Sequence, residues 1–527
     1  MIKSAHIDTF AKNRLPEPET WPDFIFGDDV PPYPDYLNAA DELLNGAIKS
    51  GYGNNPAVIM GDTSWSYEEL NRKSNQIAAV LVEEYQLVPG NRVLLRGNNT
   101  PLLAALWYAV LKAGGIAITT MTMLRQKEID AIIEVGKPDI IIIEEGLPID
   151  VIETCSKKAR HIVLYGEIER CMHDKDEKFD AASTAADDIA LLAFTSGTTG
   201  LPKATMHFHR DILAMADSFA HHVLKPESDE VFCGSPPLAF TFGLGGLLVF
   251  PARFGASVVY FEGGGPDVLL NMVERHRVTT LFTAPTAYKA IIEHLDGRDI
   301  SSLRKCISAG ENLPLTVSNS FYDATGIRLI DGIGATEMIH VFISASGDKI
   351  MPGSTGKVVP GYVAEIWGDD NKPLADGQAG RLVVKGPTGC RYLNGDRQET
   401  YVVDGWNVTG DIFKKDSEGY FWFVARGDDI IISAGYNIAS PEVEQAVIKH
   451  KAVRECAVIG SPDEDRGTIV KAFIVLENEV IPNEDLIKDI QVFVKSNIAP
   501  YKYPRAIEFI DQLPKSATGK LLRKDLK

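Results

Sequence analysis

With 527 residues the chain is too long for one hydrophobic core, and at roughly 150 residues per domain it argues for about three folding units. Hydrophobic residues at 45%, charged residues at 24%, 45 Gly and 29 Pro describe an ordinary globular protein and exclude disordered, collagenous and fibrous classes. Asp plus Glu number 72 against 53 Lys plus Arg, a formal net charge of -19, which argues against a nucleic-acid partner and obliges any polyanionic ligand to be held by local donors and a cation.

The N-terminal stretch MIKSAHIDTFAKNRLPEPETWPDF mixes charges and prolines where a secretion signal needs an uninterrupted apolar run. Helical periodicity in SYEELNRKSNQIAAVLVEEY is followed by the strand-like NRVLLRG, the apolar helix pattern PLLAALWYAVLK, and then GIAIT and KPDIIIIEE. The most apolar windows, PLLAALWYAVLKAGGIAIT and LAFTFGLGGLLVFPARFGA, are broken by Lys112 and by Pro251 and Arg253, so each predicts a buried helix followed by a strand and no membrane span. A second alternating series runs from Leu191 through TLFTAPTAYKAIIEHL and LRKCISAG to Ile339; such alternation predicts parallel sheets with right-handed crossovers.

Beyond residue 350 the Gly-punctuated runs GYVAEIWG, GRLVVKG and GYFWFVAR predict a compact β subdomain. ARGDDIIISAGYNI then leads into SPEVEQAVIKH, where Ser440 is expected to cap a helix with Pro441 at its first position. CAVIG, KAFIVLE, a helix over 483–496 and a Lys-rich tail complete a small α/β domain. The expected fold class is α/β: a large N-terminal domain, residues 1–427, of two parallel-type α/β subdomains plus a β subdomain, and a small C-terminal α/β domain, residues 428–527. The cysteines at 155, 171, 233, 306, 390 and 456 are scattered, with no Cys-x-x-Cys pair, which fits a reducing cytoplasm.

The most informative segment is Thr195-Ser196-Gly197-Thr198-Thr199-Gly200-Leu201-Pro202-Lys203, directly after the apolar run IALLAF. Glycines let backbone N–H groups converge on an anion, the hydroxyls add donors and Lys203 adds a charge, so the chemistry suits phosphates. No Walker A pattern is present, since Gly200 is followed by Leu201 and Gly519-Lys520 by Leu521. A G-x-G-x-x-G signal after the first strand and a G-x-S-x-G elbow are also missing, which disfavours dinucleotide-binding and α/β-hydrolase readings. His207, His209, His221 and His222 lack cysteines or clustered acids at ligand spacing, so a zinc site is not expected.

TSGTTGLPK resembles the signature loop of the adenylate-forming superfamily, which comprises acyl- and aryl-CoA synthetases, luciferases and the adenylation domains of peptide synthetases. SAGENLP (308–314), DGIGATE (331–337), TGD (409–411), RGDDIIISAGYNI (426–438) and PKSATGK (514–520) are similar to the family's later motifs, in order, over roughly residues 50 to 520. The resemblance implies that an acid and ATP form an acyl-adenylate and pyrophosphate, and that CoA then takes the acyl group and releases AMP. Two anions meet in the first step, so cations, oriented donors and Mg²⁺ must offset their repulsion.

Carried over residue by residue, the resemblance implies that Thr195, Ser196, Gly197, Thr198, Thr199, Gly200 and Lys203 hold the β- and γ-phosphates, with Thr198 and Glu337 on the metal side and Thr336 at the α-phosphate. Gly310, Glu311, Asp331 and Gly332 would frame the adenine; many relatives have an aromatic residue where this chain has Ile333, so an apolar contact would replace a stacked ring. Asp411 would accept the ribose hydroxyls, assisted by Arg426. Lys520 would reach the carboxylate and α-phosphate oxygens during adenylation. The C-terminal domain would be mobile, turning at Asp428, after which Ser433, Ala434, Gly435 and Tyr436 would form a strand facing CoA.

The acyl pocket implied by the resemblance is lined by Phe240, Thr241, Phe242, Ala309, Ile333, Gly334 and His340, a flat apolar slot that suits an aromatic ring. DGIGATEMIH resembles the benzoate and 2-aminobenzoate CoA ligase branch more than the acetate, luciferase or long-chain branches. His340 either bonds a ring substituent or is a core histidine satisfied by backbone. The leading expectation is an aryl-CoA ligase using ATP, Mg²⁺ and CoA on a small aromatic acid, with no nucleic-acid or membrane partner and a homodimer left open. Alternatives are an aryl-AMP ligase that loads a carrier protein, a CoA ligase for a small aliphatic acid, and a non-catalytic nucleotide-binding protein on the same fold.

Overall fold

The computed structural model describes all residues except 1–2, 125, 148–158, 196–201, 396, 434–435, 464–466, 499–501, 517–520 and 527, together with all side chains of the described residues but those of 127, 428, 430, 432, 436, 437 and 467. The chain forms two units, one of Met1–Ala364 with Val383–Val408 and one of Glu365–Leu382 with Thr409–Lys527. Thr409–Arg426 thus falls with the C-terminal stretch, whereas the expected boundary lies at 427/428.

The first unit holds two sheets. One has strands in the order 161–164, 140–143, 92–96, 116–120, 189–195 and 203–208, all parallel except the last. Ile140–Ile143 is an unbroken run of isoleucine, each fully buried, as a parallel strand covered on both faces requires. The other sheet has nine strands; its central strands 329–334, 305–308, 280–283, 231–234, 257–260 and 56–60 are parallel, with antiparallel strands at either edge.

Local chemistry accounts for the helices between them. Thr100 caps Pro101–Lys112, its hydroxyl accepting from the Leu103 N–H at 3.1 Å with Pro101 at the first position. Lys112, which breaks the apolar window, is only 1% exposed; its ammonium donates to Asn71 Oδ1 and Asn75 Oδ1, and burial lowers it to about 8. Ser66 and Glu69 form a capping box on Tyr67–Glu83. No helix among the described residues is long and apolar enough to cross a membrane.

In the second unit Asp411–Lys415 pairs antiparallel with Phe421–Arg426. Strands Val453–Asp463, Gly467–Leu476 and Ala506–Phe509 form a sheet, against which the helices Ser440–Ile448 and Glu484–Asn497 bury Val443, Val447, Ile490 and Val494 with Val458 and Ala472. The second helix begins where expected, with Asn483 Oδ1 accepting from the Leu486 N–H at 2.8 Å. The first differs from expectation: Ser440 is itself helical, the cap position is Ala439, and the Ser440 hydroxyl donates to the Asp429 carbonyl at 2.7 Å.

Candidate active site

The two ends of the segment expected to hold phosphates meet on one sheet. Thr195 ends the strand Ile189–Thr195, Lys203 begins the antiparallel strand Lys203–Phe208, and the two residues are register partners. Ser196, Gly197, Thr198, Thr199 and Gly200 lie outside the described residues. Burial lowers the Lys203 ammonium, as does the positive charge of Arg397, while Glu337 acts in the opposite direction. Two cations and one carboxylate thus share this edge, a local surplus of positive charge in an acidic protein.

Glu337 is presented by the link between two antiparallel strands. Leu329–Gly334 pairs with Val341–Ser344, and the residues between them form a 3₁₀ turn, Thr336–Met338. The chain leaves this turn through Ile339, a fully buried β-branched residue at φ +63°, a conformation that persists only when its surroundings enforce it. Three hydrogen bonds do so: His207 Nε2 to the Thr336 carbonyl at 2.8 Å, Thr388 Oγ1 to the Met338 carbonyl at 2.9 Å, and Tyr392 Oη to Glu337 Oε1 at 2.7 Å.

His207 lies on the same strand as Lys203, and burial lowers it to about 4, so at neutral pH it is uncharged. Beneath it Arg391 and Asp211, both fully buried, form an ion pair, with the guanidinium 3.8 Å over the Phe208 ring. Neither Tyr392 nor the structural role of His207 is legible in the sequence: Tyr392 and Glu337 are 55 residues apart, and nothing local in GCRYLNG marks the contact.

The residues expected at the adenine stand at the carboxyl ends of neighbouring parallel strands, where open α/β sheets bind ligands. Ser308 is the register partner of Asp331, so Ala309-Gly310-Glu311 leaves the sheet beside Asp331, while Gly332 and Ile333 continue the strand Leu329–Gly334 as partners of Ser344 and Ile343. Gly310 has φ +88°, which a side chain would strain. Burial pushes the Asp331 carboxyl up to about 8. Gly334 faces the backbone of His340, whose carbonyl oxygen lies 2.7 Å from where a Cβ would stand.

Phe242 and His340 are neighbours, their rings 5.8 Å apart, with Phe219 at 5.4 Å and Phe250 at 4.7 Å from the imidazole. Thr241 and Ala309 are buried and Phe240 is half-buried. His340 is 2% exposed, its ring lies beside the Phe242 backbone, and among the described residues neither ring nitrogen has a side-chain hydrogen-bond partner. Burial lowers His340 to about 3.

In the second unit Asp411 and Arg426 are register partners, with Arg426 Nε 3.3 Å from Asp411 Oδ1. Ser433 and Tyr436 are also partners, at the end of Ile430–Ser433 and the start of Tyr436–Ala439, so the described residues of the expected single strand belong to two antiparallel strands. Ala434 and Gly435, between them, and Lys520 lie outside the described residues, as does the side chain of Asp428.

The donors fit a magnesium–nucleotide complex. Tyr392 engages Oε1 of Glu337 and leaves Oε2 without a hydrogen bond among the described residues. One free carboxylate oxygen suits an ion that takes most of its ligands from phosphates and water. Among the described residues no group of three or more His, Cys, Asp or Glu could hold a metal ion.

Comparison with known proteins agrees with this geometry. The model of the AMP-binding enzyme family matches residues 48–392, and that of the AMP-binding enzyme C-terminal domain matches residues 442–520. The chain is 33% identical over 506 residues to the benzoate–CoA ligase of Thauera aromatica, covering 93% of this chain and 95% of that protein. It is 32% identical over 525 residues to a mitochondrial acyl-coenzyme A synthetase of Rattus norvegicus, covering 94% and 90% respectively. The solved structure of an anthranilate CoA ligase in complex with anthranoyl-AMP matches with a TM-score of 0.88 and 33% identity, covering 94% of this chain and 97% of that one.

Proposed function

The chain belongs to the AMP-binding enzyme family, and from that premise we infer that it is an AMP-forming aryl-CoA ligase. An aromatic carboxylate attacks the α-phosphorus of ATP and expels pyrophosphate. The thiol of CoA then attacks the acyl carbon of the mixed anhydride, and AMP leaves with the former carboxylate oxygen. Activation is needed because a carboxylate oxygen is a poor leaving group and AMP a good one.

The observation that carries the reading is the joining of two elements: the strand that begins at Lys203 also carries His207, which bonds the Thr336 carbonyl, and the next residue, Glu337, is held by Tyr392. The 195–203 segment grips the β- and γ-phosphates, Lys203 and Arg397 supply local positive charge, and Thr336 meets the α-phosphate. Glu337 and Thr198 hold Mg²⁺, which when bound neutralises charge on the phosphates. Gly310, Glu311, Asp331, Gly332 and Ile333 border the adenine, and Asp411 accepts from the ribose while paired with Arg426.

Lys520 serves adenylation, Ser433 to Tyr436 serve thioester formation, and Asp428 is the turning point between the two half-reactions. The cluster of Phe242, Phe219, Phe250 and His340, with Phe240, Thr241, Ala309 and Gly334, favours a ring over a long chain. Five cysteines, Cys171, Cys233, Cys306, Cys390 and Cys456, are free thiols, which supports residence in the cytoplasm.

A panel of benzoate, 2-aminobenzoate, hydroxybenzoates, phenylacetate and short fatty acids, assayed for AMP release with CoA present, tests the reading. Aromatic acids are expected to give the highest kcat/KM. Faster turnover of the fatty acids would select the alternative, a small aliphatic acid. Acylation of a carrier protein without any aryl-CoA product would remove CoA from the scheme.

A further inference from the structure

We propose that Tyr392 is a positioning residue for adenylation, its hydroxyl fixing the carboxylate of Glu337 in the orientation that serves the metal-bound nucleotide. The proposal rests on the reading of Glu337 as the metal-side carboxylate.

A glutamate on a short turn has three rotatable bonds, and an unrestrained carboxylate must be ordered at each turnover, an entropy cost that a preformed hydrogen bond removes. Tyr392 Oη donates to Glu337 Oε1 at 2.7 Å, with Tyr392 5% exposed. The donor itself is held at several points. Its backbone lies opposite Thr205 on the strand that starts at Lys203, flanked by Met206 N–H to the Arg391 carbonyl at 2.7 Å and Leu393 N–H to the Ala204 carbonyl at 2.9 Å. Its own N–H donates to Gln398 Oε1 at 3.0 Å, and its ring stands edge-on to Tyr401, 5.8 Å between centroids.

Tyr392 therefore ties Glu337 to the strand that carries the phosphate-side lysine, while Oε2 of Glu337 is left for the ion. Removing a partner that orients a metal ligand typically costs ten- to a hundredfold in metal affinity or activity, and the loss here should fall on the half-reaction that uses the metal–nucleotide complex.

The test compares Tyr392→Phe, Glu337→Gln and the double variant. Calorimetry reads ATP affinity with and without Mg²⁺; kinetics reads the Mg²⁺ dependence of ATP–pyrophosphate exchange and thioester formation from supplied aryl-adenylate. Tyr392→Phe is expected to raise the half-saturating Mg²⁺ about tenfold, to cut the Mg²⁺-dependent gain in ATP affinity, and to leave thioester formation within about twofold. In the Glu337→Gln background it is expected to add nothing further.

If Glu337→Gln alters the Mg²⁺ dependence and Tyr392→Phe does not, the positioning role is wrong and the reading of Glu337 stands. If Glu337→Gln leaves the Mg²⁺ dependence intact, the reading of Glu337 fails and the proposal falls with it. Equal loss in both half-reactions with a lowered melting temperature would make Tyr392 merely structural and overturn the proposal. Should Tyr392→Phe not fold, Gln398→Ala keeps the phenol but frees the Tyr392 N–H; a smaller shift in the same direction is expected, and none would contradict the proposal.

Discussion

Thr195 and Lys203 stand directly opposite one another across an antiparallel strand pair, so the segment between them leaves and returns at a single point on the sheet edge. That edge is also where His207 and Tyr392 hold the Thr336–Glu337 turn. Lys203 and the Glu337 carboxylate are thereby tied to one strand, the arrangement that the proposed triphosphate site requires in an acidic protein.

Lys203→Met removes one of the two cations at this edge and is expected to lower kcat/KM for ATP about a hundredfold, in line with the loss of one charge-stabilising donor. Lys520→Ala is expected to abolish acid-dependent ATP–pyrophosphate exchange and to leave thioester formation from supplied acyl-adenylate largely intact. The two variants are separated by measuring both half-reactions on each; exchange at a near-normal rate in Lys520→Ala would remove that lysine from adenylation.

Asp428→Pro fixes φ at the expected hinge and removes an N–H. Thioester formation is predicted to suffer more than adenylation. Equal loss in both half-reactions, measured by single turnover, would count against a hinge at this position.

The buried pair Arg391–Asp211 yields a stability prediction. Asp211→Asn leaves the Arg391 guanidinium fully buried without its counter-charge, and removing one partner of such a pair costs about 3–5 kcal/mol. Thermal and urea unfolding read it. A loss below about 1 kcal/mol would mean that the Phe208 ring and the Met206 carbonyl alone suffice for the guanidinium.

Three buried histidines set a pH dependence. His207, His209 and His340 are lowered by burial to about 4, 3 and 3 from an ordinary 6.5. Between about 4 and 6.5 the unfolded chain binds protons that the folded chain excludes, so stability falls as pH falls through that window. Each histidine contributes up to about 1.4 kcal/mol per pH unit. Asp331, raised to about 8 from 3.8, is protonated in the fold between those values and works in the opposite direction. The urea midpoint is expected to drop from pH 7 to pH 5, and His340→Leu to make the drop shallower; a flat midpoint would contradict the burial of these rings as neutral groups.

The sheets and helices are legible because their signals are local: four consecutive isoleucines at 140–143, Thr100-Pro101 before an apolar helix, and Asn483 before Glu484–Asn497. Ser440 is misjudged because its hydroxyl, expected to accept a backbone N–H of the first turn, donates instead to the Asp429 carbonyl, which only the fold brings near. The division into two strands, one ending at Ser433 and the other beginning at Tyr436, escapes a reading by apolar runs because isoleucine recurs in both. The phosphate segment is conspicuous in composition, whereas the Tyr392–Glu337 contact exists only once distant strands are assembled, and no periodicity encodes it.

The central claim, that the acid is joined to AMP before it meets the thiol, is tested most directly with carboxyl-¹⁸O-labelled benzoate or 2-aminobenzoate, ATP and CoA, followed by mass spectrometry of the products. One ¹⁸O per turnover is predicted in the phosphate of AMP, with none in pyrophosphate. Unlabelled AMP, or label in inorganic phosphate, would contradict the account.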